Sequence, residues 1–434
     1  MSITDLTLVE LRDQLRSGAI SSVEATTAVL ERIATADDKL QSYVTLTAEK
    51  ALAQAHTADE RLASGESSPL LGVPVAIKDL ICNRGIKTQA GSRILEGFKP
   101  PYDAFVTEKL KAAGAVIVGM TNTDAFGMGS STENSGYQVT KNPWDMSRTP
   151  GGSSGGSGAA VAAGLCDIAL GTDTMGSVRI PASYCGVYGF KPAQSAVSQD
   201  GLELAEPTLD VIGPLARSLN LLEQAARLTS EFGEADLPGQ PVTLAGLAGV
   251  ECTTEVLAVY ERACAALGAG AAVALPDPPS RVRYAGFIAT AQALHAALAD
   301  APPETLSPTL ARLIAYGPRR KPEDRAADAQ VLARTAERLN AIVTEHGPLL
   351  LPTAPQPAFD HAEPAPANQA DFTCLANVAN LPAITLPAGT AANGMPIGVQ
   401  LIGPRGAESG LFALARRLDS HLAAYRQPNH FYQG

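Results

Sequence analysis

The residues of this chain best placed to do chemistry are hydroxyls on two glycine-rich turns. From Thr149 the sequence reads TPGGSSGGSGAAVAAGLCDIALGTDTMGSVRIPASYCGVYG. One turn carries Ser153 and Ser154, the other carries Thr174 and Ser177, and the apolar run 168–170 lies between them. A serine on a tight turn suits nucleophilic acyl transfer, provided a base takes its proton. The same composition also suits a flexible linker. Against a spacer, the run is short and passes into core-like sequence on both sides.

Nucleotide chemistry fits these residues poorly. A P-loop needs Gly-Lys-Ser/Thr at the helix start to meet the phosphates, and the chain has no such triplet. A dinucleotide fingerprint needs a strand before its glycines, where Thr149-Pro150 stands instead. Gly152-Ser-Ser154-Gly-Gly156 formally matches the nucleophile elbow G-x-S-x-G, which requires an acid and then a histidine downstream. His295, His346, His361, His421 and His430 follow it, but the segment before Gly151 does not read as a strand. His56 and His430 read as surface or packing residues.

A fourth arrangement takes lysine as the base. Lys78 ends the β-favouring segment Leu71-Gly-Val-Pro-Val-Ala-Ile-Lys78-Asp79. A strand-end lysine that snorkels to solvent is the alternative. A lysine of ordinary pKa about 10.4 costs about 4.6 kcal/mol to deprotonate at pH 7, so a basic Lys78 must be buried.

The elements around these residues alternate between helix and strand, as in a layered α/β sheet. Capped amphipathic helices are expected after Thr7 (Leu8, Leu11, Leu15) and at Ser22 (Ala25, Val29, Leu30, Ile33), with a third over 47–63. Helix follows at 103–113, 159–163, 218–229, 255–267, 284–299, 328–345 and 410–423. Strands are expected at 71–79, 115–118, 168–170, 271–275, 347–352, 383–387 and 397–402. Residues 121–142 form a long polar loop of the kind that often serves function.

The segments GVPVAIKDL, MGSSTENS, NPWD, PGGSSGGSGAAVAAG and GTDTMGSVRIPASYCGVYGFKP resemble the signature region of the amidase signature family of serine hydrolases. The resemblance is dense over 71–192, resumes more weakly over 381–402 (LPAITLPAGTAANGMPIGVQLI) and fades between them. It implies the amidase signature fold, a large mixed β-sheet sandwiched between layers of α-helices. It also implies one domain over 1–434, with N-terminal helices to about 65, a signature core over 66–215, a variable substrate-side region over 216–345 and a C-terminal core over 346–434.

The same resemblance carries roles onto residues. Ser177 matches the nucleophile, Ser153, preceded by a cis peptide bond, the serine that relays its proton, and Lys78 the base; Ser153 and Ser177 are 24 positions apart, as the family pattern requires. Backbone N–H groups of Thr174, Met175, Gly176 and Ser177 would face the oxyanion, helped by a helix starting near Ser177. Gly171 and Gly176 would let that loop turn. Ser154 would support the relay, and Asp173 and Arg179 would form a flanking ion pair. Met128, Gly129 and Ser130 would touch substrate or shape the loop. Most members carry Gly where this chain has Met175.

Within the family the first two hundred residues resemble most closely the A subunits of glutamyl-tRNA amidotransferases, which draw ammonia from glutamine beside partner subunits. The glutamine-binding segments diverge. Ala311-Arg-Leu-Ile-Ala-Tyr-Gly317 stands in for an Arg-Arg-Ile-Met-Leu-Gly-like motif, and Asp371 is out of register ahead of Asn377-Val-Ala-Asn-Leu-Pro382. The expectation is therefore a stand-alone amidohydrolase acting on a linear, non-peptide C–N bond of a small amide, with carbamates and esters as further candidates. Alternatives are the glutaminase subunit, which needs partner subunits, and an inactive scaffold, which fluorophosphonate labelling of Ser177 would exclude.

Bulk properties bound the rest. The 434 residues are 45% hydrophobic and carry a net charge of −11, which disfavours direct binding to nucleic acid. No leader-like or membrane-spanning run is evident, so a cytoplasmic protein is expected. The six cysteines form no C-x-x-C pair, so neither a zinc site nor a disulfide framework is indicated, and no cofactor is implied. A homodimer is compatible with the sequence.

Overall fold

A computed structural model of the chain describes residues 8–428. Thr7, expected to cap the first helix, and His430 lie outside the described residues. Eleven strands occur among the described residues: β1 (Tyr43–Leu46), β2 (Pro74–Lys78), β3 (Val116–Thr121), β4 (Ile168–Thr172), β5 (Tyr188–Lys191), β6 (Ile212–Ala216), β7 (Thr243–Leu244), β8 (Ala272–Val273), β9 (Leu349–Pro352), β10 (Ala383–Thr390) and β11 (Pro396–Ile402). Nine form one sheet in the order β1-β3-β2-β4-β6-β5-β10-β11-β9, and β7 pairs only with β8. In the nine-stranded sheet β2 runs parallel to both β3 and β4 and the other neighbours are antiparallel, while β7 and β8 are parallel.

Side-chain alternation sorts the central strands onto two buried faces. Val75, Ile77, Ile117, Ile168 and Leu170 enter the larger core, which also takes residues of the helices Leu219–Thr229, Thr254–Leu267 and Glu408–Leu422. Ala76, Val116, Val118 and Ala169 face a second core with the helices Ser22–Leu40, Ala48–Ala63, Gly155–Ala162 and Arg179–Cys185. The sheet is thus sandwiched between helical layers. By alternation Lys78 shares a face with Ala76, towards the Gly155–Ala162 helix.

The Gly/Ser run explains how closely that helix approaches. A Cβ on Gly156 would lie 2.5 Å from the Asn122 backbone N, so only glycine fits there. The helix therefore begins at Gly155, inside the run expected to be loop. The cap of the second helix is Ser21 rather than Ser22: Ser21 forms a capping box with Glu24, while Ser22 is buried and donates to the Gly72 carbonyl. The strand expected at 271–275 is only β8. Strands β5 and β6, YGFK and IGPLA, escaped the sequence because their glycine, proline and lysine break any apolar run. No helix among the described residues is long and apolar enough to cross a membrane.

Candidate active site

Lys78 closes the wholly buried strand β2, and its own side chain is fully buried. Its Nζ lies 2.8 Å from Ser153 Oγ, 2.9 Å from Ser154 Oγ and 2.7 Å from Thr172 Oγ1. Burial brings its pKa down to about 7, against the opposing pull of the Asp124, Asp210 and Asp173 carboxylates. A neutral amine keeps two N–H groups and one lone pair, so one of the three hydroxyls must then donate to it. Ser154 directs its proton to the Thr172 carbonyl at 3.1 Å. Ser153 Oγ has no partner besides Lys78 among the described residues.

The two serine-bearing turns are held against each other. The Gly152–Ser153 peptide is cis, as the resemblance implied. Ser154 N–H donates to the Ser177 carbonyl at 3.1 Å, joining one turn to the other. Gly171 lies inside β4, not in a turn; its role is close approach, since a Cβ there would sit 2.7 Å from Ser154 Oγ. Gly176 does turn, at φ +131°.

Asp173 braces the Ser177 turn from beneath. Its carboxylate accepts from Gly176 N at 2.7 Å, Val178 N at 3.2 Å, Arg179 Nε at 3.0 Å and Arg179 Nη2 at 2.9 Å. Arg179 also donates to Gln400 Oε1 and Asn377 Oδ1, so both members of this fully buried pair are saturated with partners. Burial alone would raise the Asp173 pKa, but the Arg179 guanidinium holds it at about 2.

Above this brace the Ser177 side chain lines a cavity of about 550 Å³. Its hydroxyl has no hydrogen bond among the described residues, including none to Ser153. Thr174, Met175, Met128, Gly129 and Ser130 line the same cavity. The opposite wall comes from Arg283, Phe287 and Thr290 of the helix Pro279–Ala297 and from Arg312 of the helix Pro308–Ile314, with Gln369 on a proline-rich strap over 363–370.

A family model described as Amidase matches residues 24–263 and 254–412. The chain belongs to the amidase family. The A subunit of the glutamyl-tRNA(Gln) amidotransferase of Geobacter sp. (strain M21) is 39% identical to it, over 93% of this chain and 94% of the relative. A solved chain from a vestigial protein complex, bearing on the evolutionary origins of an s-triazine catabolic enzyme, superposes with a TM-score of 0.90 at 30% identity, covering 97% of this chain and all of the other. The structure of 6-aminohexanoate cyclic dimer hydrolase gives 0.86 at 26% identity, over 99% of each chain.

Around the site of this amidase the structure gathers every residue to which the signature assigned a role, with two changes, and no histidine lines the cavity among the described residues. The Gly176 N–H is committed to Asp173, so it leaves the expected set of oxyanion donors. Thr174, Met175 and Ser177 keep backbone N–H groups without an acceptor among the described residues. The helix expected near Ser177 begins at Arg179. Sequence reasoning missed Thr172, the third partner of Lys78, although it directly precedes Asp173 in the signature. It also missed Arg283, Phe287 and Gln369, which carry no local motif, while Arg312 falls in the segment 311–317 that stands in for a glutamine-binding motif.

Proposed function

We propose that this amidase cleaves a small carboxamide through an acyl-enzyme on Ser177, with Ser153 as proton relay and Lys78 as base. The observation that carries this reading is the buried Lys78 Nζ at 2.8 Å from a Ser153 hydroxyl that has no other partner among the described residues. Ser177 Oγ attacks the carbonyl carbon while its proton moves to Ser153, and the Ser153 proton moves to Lys78. The oxyanion faces the N–H groups of Thr174, Met175 and Ser177. Collapse breaks the C–N bond, and the proton returns through Ser153 to the departing amine. Water then attacks the ester by the same relay, releasing the acid and Ser177. Contact between Ser153 and Ser177 is asked only of the substrate-bound state, where catalytic hydrogen bonds tighten.

Charge on the far wall suggests the substrate class. Arg283 is engaged by Asp371 at 2.5 Å, whereas Arg312, exposed at the cavity, has no acidic partner among the described residues. A free guanidinium there suits a substrate carboxylate. Glutamine is one such amide. The amidotransferase relative weighs towards the glutaminase reading, in which glutamine supplies ammonia and partner subunits are required. Two observations favour a stand-alone hydrolase as the second reading: the divergence of the segments 311–317 and 371–382 from the glutamine-binding motifs, and the likeness to 6-aminohexanoate cyclic dimer hydrolase.

Assaying the single chain against glutamine, aliphatic and aryl amides and carbamates separates the two. Efficient turnover of a non-glutamine amide without partners favours the stand-alone enzyme, and glutaminase activity that appears only with partner subunits favours the other. Wild-type turnover in Ser177→Ala would sink both.

A further inference from the structure

We infer that Met175 and Gly286 together set the size of the substrate group admitted beside the nucleophile. The inference rests on Ser177 being that nucleophile and goes beyond it to specificity. Arg283, Gly286, Phe287 and Thr290 fall at helical spacing on one face of the helix Pro279–Ala297, and Arg283, Phe287 and Thr290 line the cavity. Gly286 is the gap in that row. Its backbone is helical, so no left-handed conformation demands glycine there, and a helix interior ordinarily disfavours it.

What demands glycine is the side chain lying across it. A Cβ built on Gly286 would stand 2.9 Å from Met175 Sδ, and the next nearest atoms, Leu209 Cδ1 at 3.7 Å and Met175 Cγ at 3.8 Å, are at ordinary contact distance. The thioether therefore occupies the space that a side chain at 286 would take. Met175 has little backbone freedom to retreat: its carbonyl accepts from Thr373 Oγ1 at 2.7 Å, and Thr373 leaves no room for a Cβ on Gly176. The side chain thus forms an apolar wall two residues from Ser177. Replacing Met175 by glycine opens a slot down to the helix; replacing Gly286 by alanine drives the thioether out of its place towards the cavity.

Dialkyl fluorophosphates read this wall without knowledge of the substrate. Their two alkoxy groups are identical, so whichever group faces the helix carries the tested bulk. Inactivation rates with dimethyl and diisopropyl fluorophosphate would be measured for wild type, Met175→Gly, Gly286→Ala and the double variant, with mass spectrometry locating the adduct and thermal melting reporting the fold. In Met175→Gly the diisopropyl-to-dimethyl rate ratio should rise at least about tenfold, the scale of added hydrocarbon at a pocket wall. In Gly286→Ala the ratio should fall, and that fall should vanish when Met175 is already glycine. A ratio unchanged in both single variants, with Ser177 labelled, overturns the inference alone. Wild type left unlabelled at Ser177 by either probe overturns the nucleophile assignment and the inference with it.

Discussion

Lys78 Nζ and Ser153 Oγ are 2.8 Å apart across 75 residues of chain, with both side chains fully buried. Burial is what brings the lysine down to about pH 7, where loss of its proton costs little. The active form is the neutral amine, so kcat/KM should rise about tenfold per pH unit below 7 and level off above it. Lys78→Arg should lose activity by orders of magnitude at every pH, because a guanidinium keeps its proton. A wild-type profile that is flat from pH 5.5 to 8.5 would contradict the assignment.

Removing the nucleophile tests a different link. Ser177 O accepts from Ser154 N–H through the backbone, and the Ser177 hydroxyl makes no hydrogen bond among the described residues. Ser177→Ala should therefore abolish turnover and covalent labelling while leaving the melting temperature within about 2 °C of wild type. Coincident loss of activity and of the folded state would assign Ser177 a structural role instead.

The brace under the nucleophile turn predicts a joint loss of stability and rate. Asp173→Asn leaves the fully buried Arg179 without its counter-charge, which costs about 3–5 kcal/mol. It also weakens the acceptor of the Gly176 and Val178 N–H groups, so the oxyanion donors lose their fixed aim. Urea unfolding and kcat should both fall, with KM changing less. The Asp173 pKa lies at about 2, below its ordinary 3.8, so the pair stabilises the fold above that ordinary value. Its contribution is lost progressively as pH falls from that value through about 2.

What the sequence revealed and what it hid divide along range. Lys78, Ser153 and Ser177 were marked out by the resemblance of their segments to the amidase signature; the local pattern alone put the serines on glycine-rich turns and Lys78 at the end of an apolar strand. Strands β2, β3 and β4 were legible from the same local pattern. The far wall was not: Arg283 and Phe287 lie on a helix of ordinary composition, and only the packing of Pro279–Ala297 opposite the signature loops makes them cavity residues. Gln400 and Asn377 meet Arg179 from about two hundred residues away, a relationship no local spacing encodes. Gly171 was misread because a turn and a close approach both require glycine.

That misreading yields a test of close packing. Alanine at 171 would place its Cβ 2.7 Å from Ser154 Oγ and 2.9 Å from Ser154 Cβ, inside a strand whose every residue is buried. Ser154 holds both Lys78 Nζ and the Thr172 backbone N–H, so pushing it aside disturbs the base. Gly171→Ala should cost about 1–3 kcal/mol and lower kcat more than KM. Equal stability and unchanged kcat would mean that the turn relaxes freely around the added methyl.

A second buried lysine makes stability itself depend on pH. Lys191, on β5, is fully buried and donates to the Pro192 carbonyl at 2.7 Å. Burial, with the Arg179 charge added, brings its pKa down to about 7 from an ordinary 10.5, although Asp173 pulls the other way. Between those two values the unfolded chain holds a proton that the folded chain has released. Stability therefore rises with pH across that window, by up to about 1.4 kcal/mol per pH unit for each such lysine. Lys78 adds a second proton of the same sign. Lys191→Met removes one of the two, so the slope of unfolding free energy against pH, measured in urea from pH 7.5 to 8.5, below the range in which the unfolded thiols lose their protons, should fall relative to wild type by up to about 1.4 kcal/mol per pH unit. An unchanged slope in the variant would show that Lys191 stays charged inside the fold, compensated by Asp173 across the same brace that holds Arg179.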